Sequence, residues 1–202
     1  IGNRSSGRMG FALAEAAAER GASVKLIAAN VGLPTPPGVE RIDVVSAAEL
    51  AEATGAAYGD CHVLLMTAAV ADFRPRESAE GKLVREGSGG MALDLEATED
   101  VLAGLAARRS AGQTLIGFAA EHGGDFVERA RGKLERKGLD AVVVNDVSDP
   151  RIGFESEENE VTLVEAGGEI ALPRGSKRDV AGRILDRVAE LRAERDAAPG
   201  SG

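Results

Sequence analysis

The fold is indicated most clearly by residues 5–29, SSGRMGFALAEAAAERGASVKLIAA. The Ala-rich run over residues 6–20 consists of good helix formers, and Gly21 suits a helix end because glycine tolerates a left-handed backbone. The apolar run over residues 23–29 then predicts a buried strand. A helix that leads directly into a buried strand is typical of α/β proteins.

The same alternation continues along the chain. Residues 62–70, HVLLMTAAV, are the most apolar segment and predict a strand near the centre of a sheet. Further strands are predicted at 41–45, 91–96, 114–120 and 141–147, helices from 46, over 98–109 with Thr98 as N-cap, over 124–138 and from 176, and a hairpin over 160–172 turning at Gly167-Gly168. This order predicts an α/β fold with a doubly wound, mostly parallel, Rossmann-like sheet and a C-terminal β-hairpin extension.

The predicted domain covers residues 1–194, and residues 195–202 are expected to form a flexible tail. The chain opens at Ile1 and runs at once into GNRSSGRMG, a turn that normally follows a strand. We therefore expect an N-terminal strand upstream of it. The charged, glycine-containing segment 72–90 interrupts the alternation, and a loop of that length inside a compact domain is usually functional or mobile.

The amino-acid composition argues against several classes of function. The 202 residues carry a net charge of -9 and only 3% aromatic residues, which argues against a nucleic-acid partner because such proteins neutralise phosphates and stack bases. One cysteine, Cys61, permits no intrachain disulfide, and no apolar run approaches the ~20 residues of a membrane span. We expect a cytoplasmic protein without a membrane partner.

A first candidate site is the segment 3–10, NRSSGRMG, which includes Asn3, Ser5, Ser6 and Gly7. Small residues before a helix leave backbone amides pointing at a ligand, and the helix dipole favours anions there. The segment matches neither the phosphate loop ending GK[ST] nor the dinucleotide pattern GxGxxG. An ordinary helix N-cap explains the same residues.

A second candidate site follows the apolar segment 62–70. Ala68 and Ala69 let a ligand approach the backbone at the carboxyl end of a strand, where open α/β sheets place their sites. Asp72 beyond them could accept a hydrogen bond from a ligand or hold Mg²⁺. A carboxylate in a simple turn is the alternative.

Two groups of cations are also candidates. Lys82 lies in the segment 72–90 and could close over phosphates. Lys133 and Lys137 share a helix face and could form a second cationic wall. Solvated surface charge is the alternative in both cases.

Taken together, these segments resemble the phosphopantothenate–cysteine ligase family, commonly the C-terminal half of a bifunctional coenzyme A biosynthesis flavoprotein in bacteria. The resemblance covers almost the whole chain to about residue 190. It rests on the order and spacing of GNRSSGRMGFALAEAAAERGA, NVGLPTPPGV, TAAVADFRP, the lysine loop, GFAAE, LERKGLDAVVVNDV and GFESEENEVTLV.

The resemblance implies a homodimer, CTP with Mg²⁺, the substrates 4′-phosphopantothenate and cysteine, and a reaction through an acyl-cytidylate. It further implies a phosphopantothenoylcysteine decarboxylase domain fused upstream and no flavin on this chain. Asn3 matches the residue that handles the intermediate, and Asn3, Ala68 and Ala69 are expected beside the acid substrate. Lys82 matches the lysine needed for turnover. The nucleotide-binding positions implied or expected are Ser5, Ser6, Gly7, Met66, Thr67, Ala68, Asp72, Lys82, Glu99, Asp100, Val101, Leu102, Phe118, Lys133 and Lys137.

The chain departs from the family in its lysine loop. The family pattern K-x-K-K is KLVR here, so that Val84 and Arg85 replace two lysines. Lys82 is therefore the only lysine of the pattern.

Two other functions remain open from the residues alone. An NAD(P)-dependent oxidoreductase shares the fold class, but it would need GxGxxG and an acidic residue after the second strand. Asn30 stands where that carboxylate is expected. A non-catalytic nucleotide-binding module is the third possibility.

Overall fold

The structure is a computed structural model that describes residues 5–77, 92–121, 123–146 and 158–197. Strands and helices alternate through most of this part of the chain. The helices are α1 Arg8–Glu19, α2 Ala47–Tyr58, α3 Val101–Ala106, α4 Phe126–Lys137 and α5 Lys177–Ala197. The strands are β1 Val24–Ala29, β2 Val39–Val44, β3 Val63–Met66, β4 Phe73–Pro75, β5 Leu95–Ala97, β6 Thr114–Glu121, β7 Ala141–Asp146, β8 Glu158–Glu165 and β9 Gly168–Ser176.

The largest sheet among the described strands has the order β3-β6-β7-β8-β9. Strands β3, β6 and β7 are parallel, whereas β8 and β9 form an antiparallel hairpin on the edge of β7. Strands β1 and β2 form a separate parallel pair, and β4 pairs with β5 in antiparallel register. The predicted α/β fold with a C-terminal β-hairpin is confirmed.

The central position predicted for residues 62–70 is wrong for the described sheet. Strand β3 covers only four of these residues and lies at the edge of the five-stranded sheet. The central strand is β7, whose first four residues are buried. The prediction failed because apolar composition reports how the faces of a strand are covered, and it does not report which strands are its neighbours.

The core lies on both faces of the large sheet, and β7 shows this directly. Its side chains alternate, with Ala141 and Val143 packed on the face covered by α1 and α5, and Val142 and Val144 on the face covered by α3 and α4. All four are at most 1% exposed. A strand buried on both faces is the signature of a doubly wound sheet.

Local capping fixes the helix starts. Ser46 accepts a hydrogen bond from the Glu49 amide as in a capping box, which confirms the helix start predicted at residue 46. The start predicted for α3 is wrong, because Asp100 accepts from the Ala103 amide as N-cap while the Thr98 hydroxyl donates to the Ala71 carbonyl. Thr98 therefore bonds the segment that follows β3 and does not cap α3.

The last helix extends past the predicted domain boundary at residue 194. Ser176 and Asp179 exchange the hydrogen bonds of a capping box at its start. Near its other end, Arg195 donates to the carbonyls of Gly112 and Gln113. α5 is therefore held to the amino end of β6 and remains helical to Ala197.

No helix in the described ranges is both long enough and apolar enough to cross a lipid bilayer.

Candidate nucleotide site

The amino end of α1 is packed tightly between the carboxyl ends of two strands. Gly7 has φ 71°, and a Cβ added there would lie 2.6 Å from Val31 Cγ2 beyond β1. A Cβ on Gly10 would lie 2.7 Å from Thr67 Oγ1 beyond β3. These glycines let the first turn of α1 reach the sheet edge.

No described side chain caps α1 at Gly7, and the Ser5 hydroxyl accepts a hydrogen bond of 3.4 Å from the Gly7 amide. An uncapped helix start with small neighbours is suited to an anion. Ser6, as predicted, belongs to the same turn, whereas Asn3 lies outside the described residues.

The second predicted segment, which follows β3, touches this helix start through Thr67. Met66 is buried, Ala68 is half-buried, and Ala69 and Asp72 are exposed. The Asp72 carbonyl accepts a hydrogen bond of 2.9 Å from the Thr98 amide. This bond brings the segment after β3 next to the residues that lead into α3.

The side chains of α3 are mostly used for packing. Val101 and Leu102 are each 7% exposed and belong to the core, so that only their backbones can face a ligand. Glu99 is exposed. Phe118 lies on the opposite face of the sheet, packed against the cluster under α1 and α5. Phe118 is therefore not brought together with the α4 lysines.

Lys133 and Lys137 do face this region. Lys137 Nζ lies 2.8 Å from Asp100 Oδ2, so that two predicted nucleotide residues form an ion pair. Burial opposes ionisation of Asp100, but the hydrogen bonds from Lys137 and the Ala103 amide outweigh it and lower the pKa of that carboxyl. Burial lowers the pKa of Lys133, while Glu121 and Asp72 partly oppose this shift. Lys133 thus lies within the electrostatic reach of both carboxylates.

Asn145 at the carboxyl end of β7 was missed from the sequence. Its Oδ1 atom is buried and accepts no hydrogen bond from the described part of the chain. The residue lies opposite Ala120 of β6 at the edge where the other candidates meet. A polar residue ending an otherwise apolar strand was the available signal, since buried amide oxygens are normally paired.

Asp72 is the carboxylate at this edge that we expect to bind a metal ion. No group of three or more His, Cys, Asp or Glu side chains with metal-binding geometry occurs among the described residues. Mg²⁺ commonly uses one or two carboxylates together with substrate phosphates, so a single exposed carboxylate such as that of Asp72 fits that pattern.

The side chain of Asn30, which follows β1, is evidence against dinucleotide binding. It has φ 55°, and its Nδ2 donates a hydrogen bond of 2.9 Å to the Val45 carbonyl. The side chain is engaged in joining the turns after β1 and β2. A carboxylate that could hold a ribose hydroxyl is absent at this position.

Two surface grooves of about 360 Å³ and 420 Å³ lie away from these residues. The first runs between α1 and α5 and is filled with ion pairs such as Arg20–Asp186. The second lies between α2 and the β1–β2 pair. Neither contains a predicted site residue, so the candidate site is the open edge at the carboxyl ends of the strands.

Residues 1–191 match the family described as DNA/pantothenate metabolism flavoprotein C-terminal domain. The chain belongs to this family. The predicted resemblance is confirmed. Lys82, Val84 and Arg85 fall within the matched residues but outside those the structure describes, so the role predicted for Lys82 stays a prediction.

Relatives of this flavoprotein C-terminal domain agree in sequence over nearly the whole chain. This chain is 46% identical over 206 residues to the coenzyme A biosynthesis bifunctional protein CoaBC of Mycolicibacterium smegmatis. The match covers 97% of this chain and 50% of that protein. A CoaBC of Mycobacterium tuberculosis is 45% identical over 203 residues, with 96% and 48% covered. The chain thus spans about half the length of these relatives.

Solved structures share the fold. The C-terminal domain of a CoaBC protein superposes with a TM-score of 0.79 at 34% identity, covering 95% of this chain and 86% of that one. A Cab2 H337A mutant in complex with phosphopantothenate-cysteine superposes with a TM-score of 0.77 at 14% identity, covering 98% and 82%. At that identity the second likeness concerns the fold alone.

Proposed function

We propose that this chain is a phosphopantothenate–cysteine ligase that uses CTP and passes through an acyl-cytidylate. The observation that carries the proposal is the meeting of the uncapped α1 start, Asp72 and the α4 lysines at one edge of the sheet. Membership of the flavoprotein C-terminal domain family and the CoaBC relatives support the substrate class.

The chemistry requires activation because a carboxylate has no good leaving group. In the first step, the carboxylate of 4′-phosphopantothenate attacks the α-phosphorus of CTP, and pyrophosphate leaves. In the second step, the cysteine amine attacks the acyl carbon, loses a proton and expels CMP. Charge on phosphate oxygens grows in both steps, and preorganised cations and amides stabilise such charge.

The described residues that would bind the nucleotide lie at two ends of the site. The amides at the start of α1, with Ser5, Ser6 and Gly7, would bind phosphate oxygens through the helix dipole. Lys133 and Lys137 would bind the nucleotide from the opposite side. Asp72 would hold Mg²⁺, which supplies charge neutralisation to the triphosphate when bound.

The test is pyrophosphate release by the purified protein. We expect release only when CTP and 4′-phosphopantothenate are both present, and phosphopantothenoylcysteine only after cysteine is added. ATP, NADH and NADPH serve as comparison ligands in thermal-shift assays. Release from CTP alone, or stabilisation by NADH but not by CTP, would contradict the proposal.

Lys82 provides a second test within the proposed reaction. Loss of one preorganised donor typically costs about 100- to 1,000-fold in rate. Lys82→Gln should therefore keep the melting temperature of the unmodified protein and lose turnover by about that factor. Near-normal product formation by Lys82→Gln would refute the role.

The homodimer is also part of the proposal. Phe73 is 53% exposed and Leu93 47% exposed, and both belong to the β4–β5 arm or its approach. Large apolar side chains exposed on such an arm often mark a protein interface. Phe73→Glu should shift the mass measured by light scattering towards the monomer, whereas Val45→Glu, at a 72% exposed position, should not.

A further inference from the structure

The side chain of Arg41 joins three elements beside the candidate nucleotide site. Arg41 lies in β2, and its guanidinium donates to the Val31 carbonyl at 2.6 Å and to the Leu33 carbonyl at 2.5 Å. Both carbonyls belong to the turn that follows β1, at the carboxyl edge of the β1–β2 pair. The guanidinium carbon also lies 5.3 Å from the centre of the Phe11 ring in α1. One side chain therefore holds the turn after β1 and contacts the helix whose start belongs to the site.

A carboxylate of the same strand fixes the direction of this guanidinium. Asp43 Oδ1 accepts a hydrogen bond of 2.9 Å from Nε of Arg41 and one of 2.6 Å from its Nη2. Residues two apart in a strand lie on one face of it, and here that is the face against which Phe11 packs. Each of the three guanidinium nitrogens thus donates a hydrogen bond, and the Arg41 side chain is only 17% exposed. A lysine has a single ammonium group and cannot reproduce this planar set of donors.

The turn that Arg41 holds also confines the start of α1. Val31 supplies one of the two carbonyls, and its Cγ2 atom lies 2.6 Å from the position of a Cβ added at Gly7. On the other side of α1, Thr67 Oγ1 lies 2.7 Å from a Cβ added at Gly10. Within the described part of the chain, β1 and β3 belong to different sheets, so that no ladder between them fixes the distance between the turns that follow them. Side-chain contacts with α1 therefore have to fix it.

We propose that Arg41 is a positioning residue for the nucleotide site, which holds Val31 against Gly7 and thereby fixes where the first turn of α1 lies at the sheet edge. Arg41 acts through this turn and contacts no reacting atom. The inference rests on the proposed function, in which the amides of the same turn bind phosphate oxygens. Groups that are held in place before the ligand binds stabilise charge without reorganising during the reaction.

Arg109 is a matched control for substitutions at Arg41. Its Nη2 lies 2.7 Å from Asp140 Oδ1, its Nη1 donates to the Gly138 carbonyl, and its side chain is 24% exposed. Gly138 and Asp140 precede β7, so this arginine lies at the amino edge of the sheet, away from the candidate site. Arg41→Met and Arg109→Met should therefore lower the melting temperature to a similar extent, and only Arg41→Met should affect the reaction.

The first test measures pyrophosphate release from CTP and 4′-phosphopantothenate with Mg²⁺, at a temperature at which all variants are folded. Because a misplacement of about 1 Å can cost about 100-fold in rate, we expect kcat/KM for CTP to fall by about 10- to 100-fold in Arg41→Met. Arg41→Lys should recover little of this loss, because one ammonium group cannot bond both carbonyls and Asp43 in one plane. Arg109→Met should keep the kcat/KM of the unmodified protein.

The second test uses urea denaturation and needs no ligand. If Arg41 holds Val31 against Gly7, the turn can move away in Arg41→Met and make room for a methyl group at residue 7. Gly7→Ala should then cost less free energy of unfolding in the Arg41→Met background than in the unmodified protein. Gly21→Ala should cost the same in both, because a Cβ at Gly21 meets nothing within 4 Å. Should Arg41→Met not fold, Arg41→Lys replaces it in both tests with the same expectations.

Three results would overturn the role of Arg41. The first is equal kcat/KM in Arg41→Met and Arg109→Met, and the second is full activity in Arg41→Lys. The third is a Gly7→Ala cost that is the same with and without Arg41. An unmodified protein that releases no pyrophosphate from CTP contradicts the proposed function instead, and the urea measurement then still decides whether Arg41 holds the start of α1.

Discussion

Lys137 Nζ lies 2.8 Å from Asp100 Oδ2 and 3.0 Å from Asp100 Oδ1. The pair connects the last turn of α4 with the N-cap of α3. Because Asp100 also accepts a hydrogen bond from the Ala103 amide, one carboxylate both starts a helix and holds a lysine at the site. The position of Lys137 therefore depends on how α3 begins.

Two substitutions distinguish the contribution of Lys137 from that of Asp100. Lys137→Met should weaken CTP binding about tenfold, because one charge-assisted contact to phosphate is removed. Asp100→Asn keeps a good N-cap and removes only the charge, so the melting temperature should change little while CTP affinity changes. Arg136→Met, at an exposed position in the same helix turn, is the control for Lys137→Met. Equal CTP affinities in the two methionine variants would exclude Lys137 from the site.

The half-buried position of Lys133 predicts a pH dependence of nucleotide binding. Burial lowers the pKa of Lys133 below its ordinary value of 10.5. A bound phosphate favours the charged amine and raises that pKa, so CTP affinity is complete below the lowered pKa and falls as the pH rises above it. CTP titrations between neutral pH and 10.5 should show this decline.

Lys133→Arg is the matched control for that pH dependence, since arginine stays charged throughout the range. We expect its CTP affinity to stay level where that of the unmodified protein declines. The same decline in both proteins would assign the pH dependence to another group.

The close approach of α1 to Val31 predicts a difference between two glycines that both have positive φ. Gly7 has φ 71° and Gly21 φ 84°, but an added Cβ at Gly21 meets nothing within 4 Å. Gly21→Ala should cost about 1 kcal/mol in the free energy of unfolding, from the left-handed backbone alone. Gly7→Ala should cost about 1–3 kcal/mol more, because the new methyl group overlaps Val31.

Urea denaturation measures both costs. Val31→Ala combined with Gly7→Ala should recover part of the additional loss, since it removes the methyl groups that the new Cβ meets. Equal destabilisation by the two glycine substitutions would show that the helix start is not confined by Val31.

Asn145 and Asn159 offer a comparison of two asparagines whose Oδ1 atoms differ in their hydrogen bonding within the described residues. Asn159 accepts a hydrogen bond of 2.8 Å from Lys177 Nζ, so Asn159→Ala should destabilise the fold by about 1–3 kcal/mol. Asn145 Oδ1 has no described partner, so Asn145→Ala should cost less stability and instead weaken the binding of CTP or 4′-phosphopantothenate. Denaturation and ligand titration of the two variants separate the roles. Unchanged affinity for both ligands in Asn145→Ala would remove it from the site.

Local features of this protein were predicted well because they depend on residues within one helical turn. The Ser46–Glu49 and Ser176–Asp179 caps are three residues apart, and the hairpin strands meet across a short glycine-containing turn. The N-cap at Thr98 was predicted wrongly for a related reason. Its hydroxyl bonds the Ala71 carbonyl, 27 residues away, and no local pattern contains that contact.

The candidate site was predicted in parts from the sequence, and its assembly was not. The lysine spacing on α4 and the small residues after β3 were visible as patterns. Strand order decides the ion pair between Lys137 and Asp100, the missed position of Asn145 and the placement of Phe118 on the opposite face. That order followed from packing, and the apolar segment 62–70 even suggested the wrong place for β3.

By itself, the sequence determined the α/β class, the glycine-containing turn before α1 and the family, because periodicity, backbone freedom and motif order depend on short segments of the chain. Only the tertiary structure decided which charges meet. The α4 lysines and the carboxylates of Asp72, Asp100 and Glu121 come from separate elements. They become neighbours only when the strands are ordered side by side and the helices close over both faces. Electrostatic contacts act over a few ångströms, so their existence follows from distances in space and not from spacing along the chain.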